Sequence, residues 1–421
     1  MPSVKSLPFI VEAESHGLTD VLGFTCGASA ADIRNKDDHS RLDTAIIYSE
    51  APCTAAGTFT VNAFAAAPVL LCREALAKAK AFHGIIANSG NANACTGPVG
   101  MRDAVAMQKA TATALKAPAD SIFVCSTGRI GVPLPMPKIK TGITAACKVL
   151  AATPSAGLDA ARAILTSDSR EKVVTVRVPW KDKVISVAGI AKGAGMIEPG
   201  MATMFAFIAT DAAVAQPLLT KLTRNGVHSS FNAITVDGDM STNDTVLVLA
   251  NGASGITVDT KQPALLAAFT AAVEHVCGVL ADKIVSDGEK ITKVAELLIS
   301  GARNEKDAES IARAIGNSLL VKSSWFGGDP NWGRILDAAG YAGVALNPDK
   351  VHLAYRAADI SAKPVPAFSK GKPLPANKPQ WKQIVSAARF TILLDLGLGK
   401  SAYRLLSSDL TEGYVNYNKS E

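Results

Sequence analysis

A chain of 421 residues is longer than one small core holds, so two or three lobes or one large layered domain are expected. Apolar residues make up 48% and charged residues 19%, which excludes a disordered chain, and only 5% are aromatic, so the core must be built mainly from Ala, Val, Leu and Ile. The formal charge of +6 comes from scattered Lys and Arg with no basic cluster, which argues against a nucleic-acid-binding protein.

Residues 1–8 carry one Lys and no apolar core, a poor secretory signal and no clear transit peptide. No apolar run approaches the ~20 residues that span a bilayer, so a cytoplasmic protein is expected. Strand-like runs follow at 44–48, 57–61, 84–88 and 122–126, with a helix over 101–116 and another over 145–152. A hairpin is predicted from 173–178 and 184–188, turning at Lys181-Asp182-Lys183. Further strands are expected at 204–210, 233–236, 245–250, 295–300, 319–324 and 390–394, and helices at 263–287, 308–317 and 331–339. The stretch 361–380 is rich in Pro and Lys and reads as an exposed loop. Alternating helices and hairpins imply an α/β protein with helices layered on sheets and several antiparallel pairs.

The seven Cys are widely spaced, odd in number and without a C-x-x-C pair, which fits reduced thiols used for packing. The six His are isolated and show no metal-ligand spacing, so no metal site is expected. Gly193-x-Gly195 lacks the third glycine of a dinucleotide loop, and Gly399-Lys400-Ser401 has Leu394 where a phosphate loop needs glycine.

The stretch from Lys192 to Ala212, KGAGMIEPGMATMFAFIATDA, places Gly193, Gly195, Pro199 and Gly200 directly before an apolar strand that Thr203 introduces. Glycines give the backbone freedom that a self-attacking Thr requires. If the bond between Ala202 and Thr203 is cut, Thr203 gains an α-amine with a pKa of about 7.7–8.0. That amine can activate its own hydroxyl, so no His is needed. The alternative is a glycine-rich loop entering a strand whose Thr is merely β-prone. A second element is Thr127-Gly128, which follows the run 122–126 and offers a hydroxyl and an N–H side by side, either as an oxyanion hole or as an ordinary turn.

With the stretches Asn88-Ser89-Gly90-Asn91-Ala92-Asn93-Ala94-Cys95-Thr96-Gly97, Phe231-Asn232-Ala233-Ile234-Thr235-Val236-Asp237-Gly238-Asp239, Ser241-Thr242-Asn243-Asp244-Thr245 and Gly328-Asp329-Pro330-Asn331-Trp332-Gly333-Arg334, the chain resembles the ornithine acetyltransferases, or bifunctional glutamate N-acetyltransferases, of arginine biosynthesis. The resemblance covers nearly the whole chain. It implies a helix-sheet-sheet-helix sandwich resembling N-terminal-nucleophile hydrolases, with a different connectivity. It implies self-cleavage into chains 1–202 and 203–421 that share one core. It implies ping-pong transfer of acetyl from N-acetylornithine to glutamate through an acetyl-Thr203 intermediate, with no cofactor and with acetyl-CoA as an alternative donor in some members. The cleaved halves would form an αβ heterodimer that pairs into a heterotetramer.

By the same resemblance, Thr203 is nucleophile and cleavage site with Ala202, Thr127 and Gly128 stabilise the oxyanion, and Thr166, Lys192, Glu289 and Asn418 bind substrate. The chain departs from the family pattern at four places. Lys290-Ile291 follow Glu289 where the family has Gly-Ala, Glu198 and Gly200 stand for Ala and Asn, Arg129 replaces an apolar residue, and only three residues follow Asn418. Arg129 either binds a carboxylate or points to solvent. These changes leave the acyl-transfer machinery in place and bear on which donor and acceptor it serves. Two readings compete: hydrolysis on the same architecture, with water intercepting the acyl-enzyme, and a non-catalytic relative kept as an assembly or binding protein.

Overall fold

The computed structural model describes residues 10–79, 81–198 and 204–419. Two compact units are present. Among the described residues, unit 1 comprises 10–79, 81–194, 204–232 and 240–284, and unit 2 comprises 195–198, 233–239 and 285–419.

In unit 1 the strands are β1 (Val11–Ala13), β2 (Phe24–Ser29), β3 (Thr44–Phe59), β4 (Phe82–Asn91), β5 (Ile122–Arg129), β6 (Lys172–Trp180), β7 (Lys183–Lys192), β8 (Phe205–Thr210), β9 (Ala213–Val214), β10 (Thr245–Ala250) and β11 (Thr257–Val258). The helices are α1 (Ala67–Lys78), α2 (Gly97–Leu115), α3 (Met136–Lys148), α4 (Pro154–Ala163), α5 (Gln216–His228) and α6 (Pro263–Val285). The strand order is β1-β6-β7-β8-β10-β3-β4-β5, with β2 also on β3. The two runs expected at 44–48 and 57–61 are one 16-residue strand. Its register against β4 shifts between Tyr48 and Cys53, around Pro52, which has no N–H to donate to a ladder. The N-terminal part of β3 pairs with β2 and β4 and its C-terminal part with β10, so one strand serves two sheets.

Between those sheets lies a core of Phe24, Ile47, Ile85 and Phe123 from one and Ile190, Phe205, Phe207 and Leu249 from the other. Outside the first sheet, Ile46, Ile86 and Val124 meet Met107 of α2 and Ile139 and Ile143 of α3. Outside the second, Gly189 of β7 faces Val276 and Leu280 of α6, at a distance where any added Cβ would overlap them. The layers therefore run helix, sheet, sheet, helix. β8 is buried along its whole length, antiparallel to β7 and parallel to β10, which is why Phe205–Thr210 is apolar without alternation. α6 is long and apolar enough to cross a membrane by length and composition alone. Glu274 and His275 interrupt its apolar run, and His275 pairs with Glu12 at 2.9 Å.

Unit 2 has a six-stranded sheet in the order β15-β14-β13-β16-β12-β17. Its elements are β12 (Val294–Ala302), α7 (Glu305–Gly316), α8 (Leu319–Phe326), α9 (Trp332–Gly340), β13 (His352–Ala357), β14 (Val365–Ser369), β15 (Lys372–Pro373), α10 (Lys378–Val385), β16 (Arg389–Asp395), β17 (Ser401–Ser408) and α11 (Glu412–Tyr417). Leu297, Ile299, Ile311, Trp325, Trp381 and Ile392 are among the residues of its core.

Several expectations need correction. Residues 319–324 are helical, not a strand. Ser318 caps them by accepting from the Val321 N–H, and Val321, Lys322, Ser324 and Trp325 are buried while Leu319 and Leu320 are exposed, a helical period. The stretch 361–380 holds the β14–β15 edge hairpin and the start of α10. Its prolines suit an edge strand and a first helical turn. The helix placed at 145–152 is α3, which begins earlier because Pro137 occupies its first turn, and ends where Ala151 bridges to Cys26. Residues 233–236 form no strand beyond a single parallel bridge from Ile234 to Leu406.

Candidate functional site

In unit 1 the sheet order brings together residues far apart in sequence. β5 carries Thr127 and Gly128, paired in parallel with Ser89 and Gly90 of β4. Gly128 has φ 130°, and a Cβ there would stand 2.4 Å from the Gly90 carbonyl carbon, so only glycine permits this approach. The Asn243 amide group donates to the Ala92 carbonyl at 2.6 Å and to the Ser126 carbonyl at 2.7 Å. Two of the motifs on which the resemblance rests thus meet directly beside Thr127. Thr127 is buried, and its Oγ1 lies 3.5 Å from Nζ of Lys192, the last residue of β7. Lys192 is 1% exposed.

Thr166 stands in the loop between α4 and β6. Its N–H donates to Asp168 Oδ2 at 3.0 Å, and its carbonyl accepts from Arg34 Nη2 at 3.1 Å. Asp168 is the centre of this cluster. Its Oδ1 accepts from Lys172 Nζ at 2.7 Å and from the Gly193 N–H at 2.6 Å, and its Oδ2 is 4.0 Å from Lys192 Nζ. Burial pushes this carboxyl up, but the Lys192 and Lys172 ammoniums and the Gly193 amide outweigh it and hold it down at about 2. It is therefore ionised, and it orients Thr166, Lys192 and the backbone at Gly193 at once. Asp168 and Lys172 escaped the sequence reasoning. Their four-residue spacing was the available signal, but it lies in a loop and strand rather than on a helix face.

Asp244 is a second missed group. Its Oδ1 accepts from the Met204 N–H at 3.1 Å, and its buried Oδ2 has no hydrogen-bond partner among the described residues. Burial pushes this carboxyl well up, against the pull of the Met204 amide and Lys192. It anchors the residue that follows Thr203. Pro199, Gly200, Ala202 and Thr203 themselves lie outside the described residues. Arg129 is exposed, and its carbonyl accepts from the Ala92 N–H at 2.9 Å.

Glu289 and Asn418 belong to unit 2. The Glu289 carboxyl lies against Gly195, where an added Cβ would be 2.5 Å from Oε1. Asn418 caps the end of α11, and its Nδ2 donates to the Tyr414 carbonyl at 2.8 Å. Glu198 pairs with Arg313 at 3.2 Å, so this departure from the family pattern is an internal ion pair of unit 2. Among the described residues no group of His, Cys, Asp and Glu is placed to hold a metal.

Chemically, unit 1 presents a buried ammonium beside a buried hydroxyl and a glycine N–H at a strand end, donors suited to a developing oxyanion. Unit 2, taken by itself, carries a carboxylate and an amide, groups that pair with an amino acid's ammonium and carboxylate. The family model of the ArgJ family matches residues 25–420. The chain is 44% identical over 393 residues to the arginine biosynthesis bifunctional protein ArgJ of Thermotoga neapolitana, covering 93% of this chain and 98% of that protein. It is 41% identical over 377 residues to the glutamate N-acetyltransferase of Methanopyrus kandleri, covering 90% and 95%. A solved ornithine acetyltransferase from Mycobacterium tuberculosis, complexed with ornithine, matches 45% of this chain and 98% of its own at 37% identity, with a TM-score of 0.42. With its motifs gathered around Thr127 and a family match spanning nearly its full length, the chain belongs to the ArgJ family.

Proposed function

We propose that this chain transfers an acetyl group from N-acetylornithine to glutamate, after cutting itself between Ala202 and Thr203. The observation that carries the reading is the buried Thr127–Lys192–Asp168 cluster in a member of the ArgJ family. The Thr203 Oγ attacks the acetyl carbonyl carbon while its own α-amine takes the hydroxyl proton. Thr127 and Gly128 donate to the oxyanion, and the Lys192 charge stabilises it. The carbon–nitrogen bond breaks, and ornithine leaves with the proton. The glutamate amine then attacks the acetyl ester, the carbon–oxygen bond breaks, and Thr203 regains its proton. Thr166, Lys192, Glu289 and Asn418 hold the amino-acid parts of both substrates. Acetyl-CoA serves as a second donor to the same Thr. The halves 1–202 and 203–421 stay together as an αβ pair that doubles into a heterotetramer in the cytoplasm.

The test is mass spectrometry of purified protein mixed with N-acetylornithine alone. An acetylated peptide beginning at Thr203, discharged on adding glutamate with formation of N-acetylglutamate, is the expected result. An intact, fully active polypeptide refutes the cleavage. Product partitioning unchanged by glutamate refutes transfer in favour of hydrolysis.

A further inference from the structure

The last described element of unit 2 is α11, a six-residue helix that buries none of its residues. So short a helix does not hold itself in water, and its attachment falls to a few polar contacts. Thr411 caps it, accepting from the Tyr414 N–H at 3.1 Å while its own hydroxyl donates to the Lys290 carbonyl at 2.7 Å. The Lys290 ammonium lies 5.3 Å from the centre of the Tyr417 ring, within the range of a cation–π contact. The Tyr414 hydroxyl donates to Asp237 Oδ2 at 3.2 Å.

Asp237 connects this helix to the rest of the unit 2 groups. The same carboxylate accepts from the Met196 N–H at 2.6 Å, the Ile197 N–H at 2.9 Å and the Asp239 N–H at 3.2 Å. It thereby secures Met196 in a left-handed backbone at φ 56° and fixes Gly195 against the Glu289 carboxyl. Lys290 is the neighbour of Glu289 and also left-handed, at φ 55°. The helix that ends in Asn418 is therefore fastened at three points, two through the residue beside Glu289 and one through the residue that shapes the turn under Glu289.

We propose that Tyr414 and Lys290 are positioning residues that fasten α11 beside Glu289 and so set the affinity for the amino-acid parts of both substrates. The inference rests on the reading that Glu289 and Asn418 bind substrate. Lys290 then acts as a fastening residue. Its ammonium is committed to Tyr417, and its side chain holds the helix instead of projecting onto substrate.

Two variants test it in the full protein. Tyr414→Phe removes one hydroxyl, and Lys290→Gly suits the positive φ while removing the ammonium. Tyr414→Phe is expected to raise KM for glutamate and N-acetylornithine about tenfold, the scale of one lost hydrogen bond, and Lys290→Gly about threefold, the scale of one exposed cation–π contact, each leaving kcat within about twofold. The extent of self-cleavage should not change, and amide exchange across 411–418 should quicken. Faster exchange with KM unmoved, a fall in kcat with KM unmoved, or exchange unchanged in both variants overturns the proposal. A wild-type protein that transfers no acetyl overturns the proposed function alone. Calorimetric binding of glutamate and ornithine to the same variants then decides the role of the helix by the same fold-changes.

Discussion

Replacing Asp168 with Asn keeps the side-chain shape and one acceptor but removes the negative charge beside two buried ammoniums. The cost can be bounded in two ways. The carboxyl is held at about 2 against an ordinary 3.8, and that gap corresponds to ~2.4 kcal/mol of stability by linkage. Removing one partner of a buried ion pair costs more, ~3–5 kcal/mol, because the remaining charge stays desolvated. Lys172 is 0% exposed and Lys192 1%, so the second effect should dominate, and Asp168→Asn should lose ~3–5 kcal/mol near neutral pH. The sign with pH follows from a depressed carboxyl: its contribution is present above 3.8 and lost as pH falls toward 2. The assay is urea unfolding of wild type and variant near neutral pH and at about pH 2.5, read by pulsed hydrogen exchange on β6 and β7, with the gap narrowing in acid. A gap below ~1 kcal/mol near neutral pH, or one that is the same in acid, refutes the reasoning.

Other perturbations have equally definite outcomes. Thr203→Ala should abolish both self-cleavage and acetyl transfer, whereas Thr203→Ser should keep some of each, as a denaturing gel and a transfer assay will show; a Thr203→Ala protein that still turns over removes the nucleophile assignment. Gly128→Ala forces a Cβ to within 2.4 Å of the Gly90 carbonyl carbon, and the displaced N–H should lower kcat by about 10²–10³, the scale of one oxyanion donor; a change under about tenfold counts against that role. The two units should respond oppositely to mild alkali, below the pH of about 10 at which unfolded tyrosines ionise. Burial lowers the Lys322 ammonium of unit 2 from 10.5 to about 8, so the folded form binds fewer protons than the unfolded one between those values and stability rises by up to ~3 kcal/mol. In unit 1, burial raises the Cys26, Cys53 and Cys277 thiols to about 12, so stability falls once unfolded thiols ionise above about pH 8.5. In a Trp180→Phe background, urea midpoints from the fluorescence of Trp325, Trp332 and Trp381 report unit 2, and a Lys322→Met variant should lose the upward slope.

Much of this protein is legible in its residues alone. The central strand at 205–210, the hairpin of β6 and β7 and the helices at 97–115, 263–285 and 305–316 follow from apolar runs and periodicity, which are local properties. The family and its candidate groups are equally readable, because motifs such as 88–97 and 241–245 are contiguous in the chain. Period failed where short apolar runs suit either structure, as at 319–324, and where proline sits in a first helical turn or at a sheet edge, as in α3, α10 and β14. What no local pattern states is which distant residues meet. Thr127 and Lys192 are 65 residues apart, and only the order of strands sets one beside the other. Asp168 looked like an ordinary polar residue, and Asn243 and Asp244 were legible only as members of a motif, because their roles come from burial and from the ammoniums and amides that the sheets carry to them. The segment 195–198 joined unit 2 while Lys192 stayed in unit 1, through hydrogen bonds to Asp237 some 40 residues away. Pattern follows from the period of the backbone, but charge pairing and hydrogen bonding depend on distance in space, and that distance exists only once the chain has packed.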